Sequence, residues 1–239
     1  MPPVWFFIVF GVVAVALIVF ESIRYHRKVA RKRREALEAA GFEVFDRMKK
    51  ADKHECFTPF EHITPRLRTG HKGLKWFAIG LPQARIDPTL RPRLFNHSYT
   101  ASSGRSSQTY HHTIAAFPCP PYWPELRLEP TNTLNRFFRN LIATGKPPLE
   151  LEDPEFTKRW RITTDDPDFA LLCLTPQIQA FINTLPGAHK TDSWWIARGW
   201  ICCLRMTNIR KHDELIAFSD HPADLFAQIP IEFAYYNAP

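Results

Sequence analysis

The chain has 239 residues with a formal charge of +7, enough length for one ordinary domain with a real core. Residues 1–40 carry seven basic and three acidic groups, so +4 of the charge is local, and residues 41–239 carry 24 basic and 21 acidic groups. This concentration argues against a nucleic-acid-binding surface, and with only 9 Gly a phosphate-cradling loop is improbable.

The first element is an apolar run from Val4 to Ile23, followed at once by Arg24, Arg27, Lys28, Arg31, Lys32, Arg33 and Arg34. Twenty residues at about 1.5 Å each reach roughly 30 Å, the thickness of a hydrocarbon core. No charged n-region precedes the run and no A-x-A pattern follows it, so it reads as a span (residues 1–23) rather than a cleaved signal peptide. Trp5, Phe6 and Phe7 suit one interface and Tyr25 the other. All the basic residues lie on the C-terminal side of the run. The expectation is therefore a single-pass protein of the inner (cytoplasmic) membrane, N-terminus outside and C-terminal bulk cytoplasmic. Arg24, Arg27, Lys28 and Arg31 are then the contacts to anionic lipid headgroups. Glu21 sits near the interface, where it pairs with Arg24 or His26. Gly11 and Ala14 are small enough to admit a close neighbouring helix.

Residues 24–41 are free of Pro and Gly until Gly41, which predicts a basic helical stalk continuing the span. The alternative is a break near Arg24, with the basic part lying on the membrane. Residues 42–73 read as irregular. Leu74–Gly80 reads as a strand and residues 82–93, with three prolines, as a loop. Leu94–Thr100 and Gln108–Phe117 around a Ser/Gly turn predict a β-hairpin, with His111 and His112 on opposite faces. The Pro-rich stretch 118–124 is excluded from a central strand. Asn132–Ala143, Asp168–Leu174 and Pro176–Leu185 predict helices, the last capped by Thr175 with Pro176 at its first position. Trp194–Met206 predicts a strand pair or one long strand, and residues 213–217 and 222–228 predict two short helices. The fold class expected is α+β: one transmembrane helix, a basic stalk, then a cytoplasmic domain (residues 42–228) with a mainly antiparallel sheet and short helices.

From Glu150 to Ile162 the chain reads Glu-Leu-Glu-Asp-Pro-Glu-Phe-Thr-Lys-Arg-Trp-Arg-Ile, then Asp165-Asp166 and Leu174-Thr175-Pro176-Gln177-Ile178. This order resembles a pattern in uncharacterised bacterial single-span membrane proteins with a small cytoplasmic α+β domain. Tyr99 through Gln108-Thr109 to Phe117-Pro118, and the approach to Leu126–Pro130, are similar to that family's hairpin and following segment. The resemblance covers residues 74–218. It implies a fold and a membrane-proximal location, and no activity.

Candidate chemistry is sparse. His54, Cys56 and His62 lie in His-x-Cys-x5-His spacing, but structural zinc takes four ligands and no fourth is evident, so no metal and no cofactor are expected. The five cysteines (56, 119, 173, 202 and 203) read as free, mostly buried thiols. The acidic stretch from Glu150 to Asp168 is interrupted by Pro154 and Pro167 and flanked by Lys158, Arg159 and Arg161. Asp153 is therefore read as a helix cap or arginine partner rather than a general acid. The aromatic surplus points to contacts with a partner through Trp123, Trp194, Trp195, Tyr235 and Tyr236, at least one of Trp194 and Trp195 being expected at a surface. Residues 229–239 form an apolar tail, read as an extended arm that docks on its own domain or on a neighbour.

The functional expectation is a non-catalytic, membrane-anchored accessory subunit. It would dock on the integral membrane subunits of a larger complex of respiratory or photosynthetic type and stabilise them. The alternatives are an anchored enzyme with an unfamiliar site and a stand-alone anchored adaptor.

Overall fold

The computed structural model describes residues 4–46, 48–60, 73–80, 90–103, 106–131, 148–186 and 192–236. It is an α+β fold built on one eight-stranded antiparallel sheet in the order β1-β2-β3-β4-β8-β7-β5-β6. The strands are β1 (Phe42–Phe45), β2 (Leu74–Gly80), β3 (Arg93–Ser103), β4 (Ser106–Pro118), β5 (Leu126–Pro130), β6 (Trp160–Thr164), β7 (Asp192–Ala197) and β8 (Trp200–Arg205). The helices are α1 (Val4–Ala39), α2 (Lys50–Phe57), α3 (Pro154–Arg159), α4 (Pro167–Cys173), α5 (Pro176–Thr184) and α6 (His212–Gln228).

The chain first lays down β1 to β4 as a meander. It then builds a second group of four strands, β8-β7-β5-β6, which joins the meander through β4 and β8. Both faces of the sheet are covered. One carries α4, α5, α6 and the end of α1 over a core that includes Leu37, Trp76, Leu94, Phe169, Ile178 and Phe218. The other carries α2 and the 3-10 turn Thr58–Phe60 over Phe77, Phe95, Ile114, Trp195 and Leu204. Side chains alternate along a strand, so neighbours part company: Trp194 and Cys203 enter the first core, Trp195 and Cys202 the second.

The expected hairpin forms as β3 and β4, with Ser98 to Ser103 paired against His111 to Ser106 beyond the reach of either flanking strand. Trp194–Met206 resolves into a strand pair. Arg198 and Gly199 both take positive φ, 52° and 84°, the mirror-image turn whose twist suits a two-residue hairpin. The Thr175–Pro176 start holds: the Thr175 hydroxyl accepts from the Ile178 amide at 3.4 Å. The same device recurs twice, with Asp153 before Pro154 and Asp166 before Pro167.

Several expectations need correction. Residues 42–73 are not irregular throughout, because β1 pairs with β2 and α2 packs Phe57 into the second core. The acidic segment contains α3, which leads directly into β6. Residues 213–217 and 222–228 are parts of one 17-residue helix that carries Pro222 inside it. The lost backbone hydrogen bond is offset by an apolar face that buries Leu215, Phe218, Ala223 and Leu225. The tail is not extended: Ile231–Tyr235 forms a 3-10 turn. The helix expected at 132–143 and most of the Pro-rich loop at 82–93 lie outside the described residues.

Helix α1 is continuous for 36 residues, with no break at Arg24. Among the described residues no helix is long and apolar enough to cross a membrane. The side chains described on α1 begin at Phe10, and the uninterrupted apolar stretch from there to Phe20 is 11 residues, about 16 Å.

Candidate functional site

The part of the molecule that most constrains its use is the junction between α1 and the sheet. The last turns of α1 present Ala30, Arg33, Ala36 and Leu37 at spacings of three and four, one face of a helix. Leu37 is fully buried in the first core. The Arg33 guanidinium pairs with the Asp46 carboxylate and lies 4.7 Å from the Trp76 ring centroid. Burial pulls the Arg33 pKa down, against the opposing pull of Asp46. Gly41, at φ 86°, turns the chain out of the helix and straight into β1. Two residues of connection and a half-buried arginine fix the direction in which α1 leaves the domain.

The other half of α1 is the reverse. Phe10, Val12, Val13, Val15, Leu17, Ile18, Val19, Phe20 and Ile23 are all exposed, Phe10 at 68% and Ile18 at 69%. A helix apolar all round and left this exposed among the described residues is what a surface in water avoids. Below it Arg24, Arg27, Lys28 and Arg31 are exposed. Glu21 lies 3.9 Å from Arg24, and Arg31–Glu35 (3.4 Å) and Arg34–Glu38 (2.7 Å) follow down the stalk. Such exposed pairs contribute little to stability. Gly11 has nothing near a notional Cβ, and Ala14 is half-buried. The side chains of Trp5, Phe6 and Phe7 lie outside the described residues.

The partner-contact tryptophans need correction. Trp123, Trp194 and Trp195 are 5%, 1% and 4% exposed, because both faces of the sheet are covered and neither neighbour in the Trp194–Trp195 pair faces water. Arg127 lies across Trp195 at 5.0 Å, completing that cover. The tail docks on its own domain. Trp123 Nε1 donates to the Phe233 carbonyl at 2.7 Å, and the Tyr236 hydroxyl donates to Asp166 Oδ2 at 2.9 Å. Tyr235 alone of the five lies on the surface, 77% exposed.

The acidic segment is architectural in its described contacts. Asp153 Oδ1 accepts from the amides of Glu155 and Phe156 at 2.8 and 3.3 Å, and Asp166 Oδ1 accepts from Phe169 at 3.0 Å. A cavity of about 790 Å³ adjoins it, lined mainly by Leu151, Leu171, Leu172, Pro176 and Gln179, with Asp153 at its margin held in its cap. Gln179 is engaged too, its amide donating to the Leu174 carbonyl at 2.7 Å.

All five cysteines are free thiols, four of them buried. Burial pushes the Cys173 thiol up to about 12, and Cys119, Cys202 and Cys203 are raised well above the ordinary range for the same reason. Thiols so protonated are neither nucleophiles nor ready metal ligands. Among the described residues no three His, Cys, Asp or Glu side chains gather as a metal site. His62 lies outside them, and the His54 ring meets the Thr58 hydroxyl at 3.2 Å.

Sequence reasoning passed over the buried charge cluster. Arg205 on β8 donates from Nε and Nη2 to the two oxygens of Asp192 on β7, both at 2.7 Å. It also donates from Nη1 to Glu214 on α6 and from Nη2 to the Pro186 carbonyl, again at 2.7 Å. This fork ties β7, β8 and α6 together. The signal for it was one arginine ending an otherwise apolar strand.

No family model and no curated protein matches the chain. Among solved structures it is similar to the crystal structure of the mycobacterial trehalose monomycolate transport factor A, TtfA. The TM-score is 0.50 at 13% identity, over 85% of this chain and 97% of that one. At that identity the likeness is one of fold.

Proposed function

We propose that the chain is a non-catalytic, membrane-anchored accessory factor that braces an integral membrane transporter from the cytoplasmic side. The observation that carries this is α1: one helix whose exposed apolar half runs without a break into a half locked to the sheet by Leu37 and Arg33. In sequence the apolar stretch extends back to Val4, and fourteen Val, Ile, Leu and Phe residues lie between Val4 and Ile23. Each contributes about −0.3 to −0.6 kcal/mol near mid-membrane, so insertion is favoured by several kcal/mol. The basic residues at 24–34 set the orientation, N-terminus outside, and draw the stalk to anionic headgroups. A rigid junction suits a brace, which must hold its domain at a fixed height and angle. A tether for a diffusing enzyme needs no such fixture.

The similar structure is that of a trehalose monomycolate transport factor, which favours a transporter of a lipid-linked cargo over a respiratory or photosynthetic complex. The caps at Asp153 and Asp166 and the protonated buried thiols favour a non-catalytic role over an enzymatic one.

The test is purification of the full chain from its own membranes in mild detergent, with mass spectrometry of the co-eluting subunits. A polytopic transporter in stoichiometric amount is the expected result. Respiratory or photosynthetic subunits would replace the host, and a free monomer would overturn the accessory role.

A further inference from the structure

Where α1 passes the domain it leaves an open cleft of about 310 Å³. One wall is α1, through Tyr25, His26, Val29 and Lys32, and the other is Asn208, Arg210 and His212 at the start of α6. Two of these side chains are permanent cations, two are imidazoles, and no carboxylate is among them. Neither Lys32 nor Arg210 is in an ion pair with a described residue, although Arg24, Arg31, Arg33 and Arg34 on the same helix all are. Asn208 is oriented by Asn96, whose amide donates to its Oδ1 at 3.3 Å. Of the nearest acids in sequence, Glu35 faces Arg31 and Glu214 holds Arg205, while Asp213, in the first turn of α6, is not among the residues that line the cleft.

Position adds to charge. Along the helix Tyr25 lies about 3 Å, and Lys32 about 14 Å, beyond Ile23, the last apolar residue of the proposed span. The polar zone of a leaflet is roughly 5–8 Å deep. The Tyr25–His26 end of the cleft therefore lies at the depth of the headgroup layer, and Lys32 lies roughly 6–9 Å beyond that layer, a distance its long side chain spans by snorkelling back. The first amides of α6 add the positive end of a 17-residue helix to the same wall.

We propose that this cleft binds the phosphate of an anionic glycerophospholipid headgroup, one lipid per chain, with Lys32 and Arg210 holding the phosphate from opposite walls. This rests on the membrane-anchored reading above. It differs from diffuse attraction by Arg24, Arg27 and Lys28, which all stand on α1 and do not line this cleft: a cleft with cations on two elements saturates at one ligand and clamps α1 against the start of α6.

The test uses the full chain in a neutral detergent, titrated with short-chain phosphatidylglycerol and counted by native mass spectrometry. Phosphatidylcholine and inorganic phosphate serve as separate arms. One phosphatidylglycerol per chain is expected. Its affinity should fall at least ten-fold in the Lys32→Gln/Arg210→Gln double variant and less than three-fold in Arg27→Gln/Lys28→Gln. The urea midpoint of the soluble domain, unchanged in both, excludes misfolding. Equal loss in the two double variants, or binding of phosphatidylcholine to the same extent, would overturn the cleft. Displacement of the lipid by millimolar phosphate would overturn the headgroup assignment in favour of a free anion. Failure of the anchored reading is seen separately, as release of the chain from membranes by carbonate wash.

Discussion

The two halves of α1 belong to one unbroken helix and have opposite fates. From Ala30 to Ala39 a sheet lies alongside, with Leu37 buried and Arg33 half-buried against it. From Phe10 to Ile23 the apolar side chains stay exposed among the described residues. A helix takes its environment from what it is packed against. The proposed anchor gives the upper half its environment in a bilayer or among the helices of a partner.

The comparison breaks most sharply at mid-helix. An Arg placed at Val15 costs about 2.5–3.5 kcal/mol of insertion, and more without snorkelling. The Val15→Arg chain should move from the carbonate-resistant membrane pellet to the supernatant or to aggregates, with an unchanged unfolding midpoint for its domain. Pelleting like wild type would mean that the upper half does not span.

The domain has its own sensitive point. Arg205→Ala leaves Asp192 buried without its fork, at a cost of about 3–5 kcal/mol. A large drop in the urea midpoint is expected while membrane pelleting persists. Leu37→Ala tests the lower half of α1 directly. It should cost about 2–5 kcal/mol of domain stability through the cavity left in the first core, again without releasing the chain from membranes. If Leu37→Ala left the midpoint untouched, the stalk would be hinged rather than fixed.

Asp153→Ala should cost about 1 kcal/mol, the usual worth of a cap, read as a small shift in the urea midpoint. A role in chemistry would instead appear as lost function at full stability. The smallest effect concerns His221 on α6. Burial lowers its pKa, the nearby Arg205 lowers it further, and Asp224 opposes. A folded pKa below the unfolded value of about 6.5 keeps the neutral form in the fold. Its contribution is complete above pH 6.5 and is lost as pH falls through that value toward the folded pKa. The urea midpoint should drop between pH 7.5 and 5.5, and drop less in His221→Gln.

Much of the local structure was legible in the residues. β2, the β3–β4 hairpin, the Thr175–Pro176 cap and the continuity of α1 past Arg24 each follow from period, turn chemistry or capping, which act within a few residues. β1 and β6 were not legible. Each is four or five residues long and exists because a distant strand pairs with it. The single helix through Pro222 is a further case, since local propensity breaks it there and the buried face overrides that preference.

The candidate site divides the same way. The apolar run and its basic fringe are contiguous, so sequence alone suffices to propose an anchor, an orientation and a set of lipid-facing charges. The partners of those residues are not contiguous. The burial of Trp194 and Trp195 on both faces of the sheet, the Arg205 fork and the pairing of Lys32 with Arg210 across a cleft join residues as far as 178 positions apart. Only the tertiary structure decided them, because neither a residue's burial nor its electrostatic partner is a property of its neighbours in the chain.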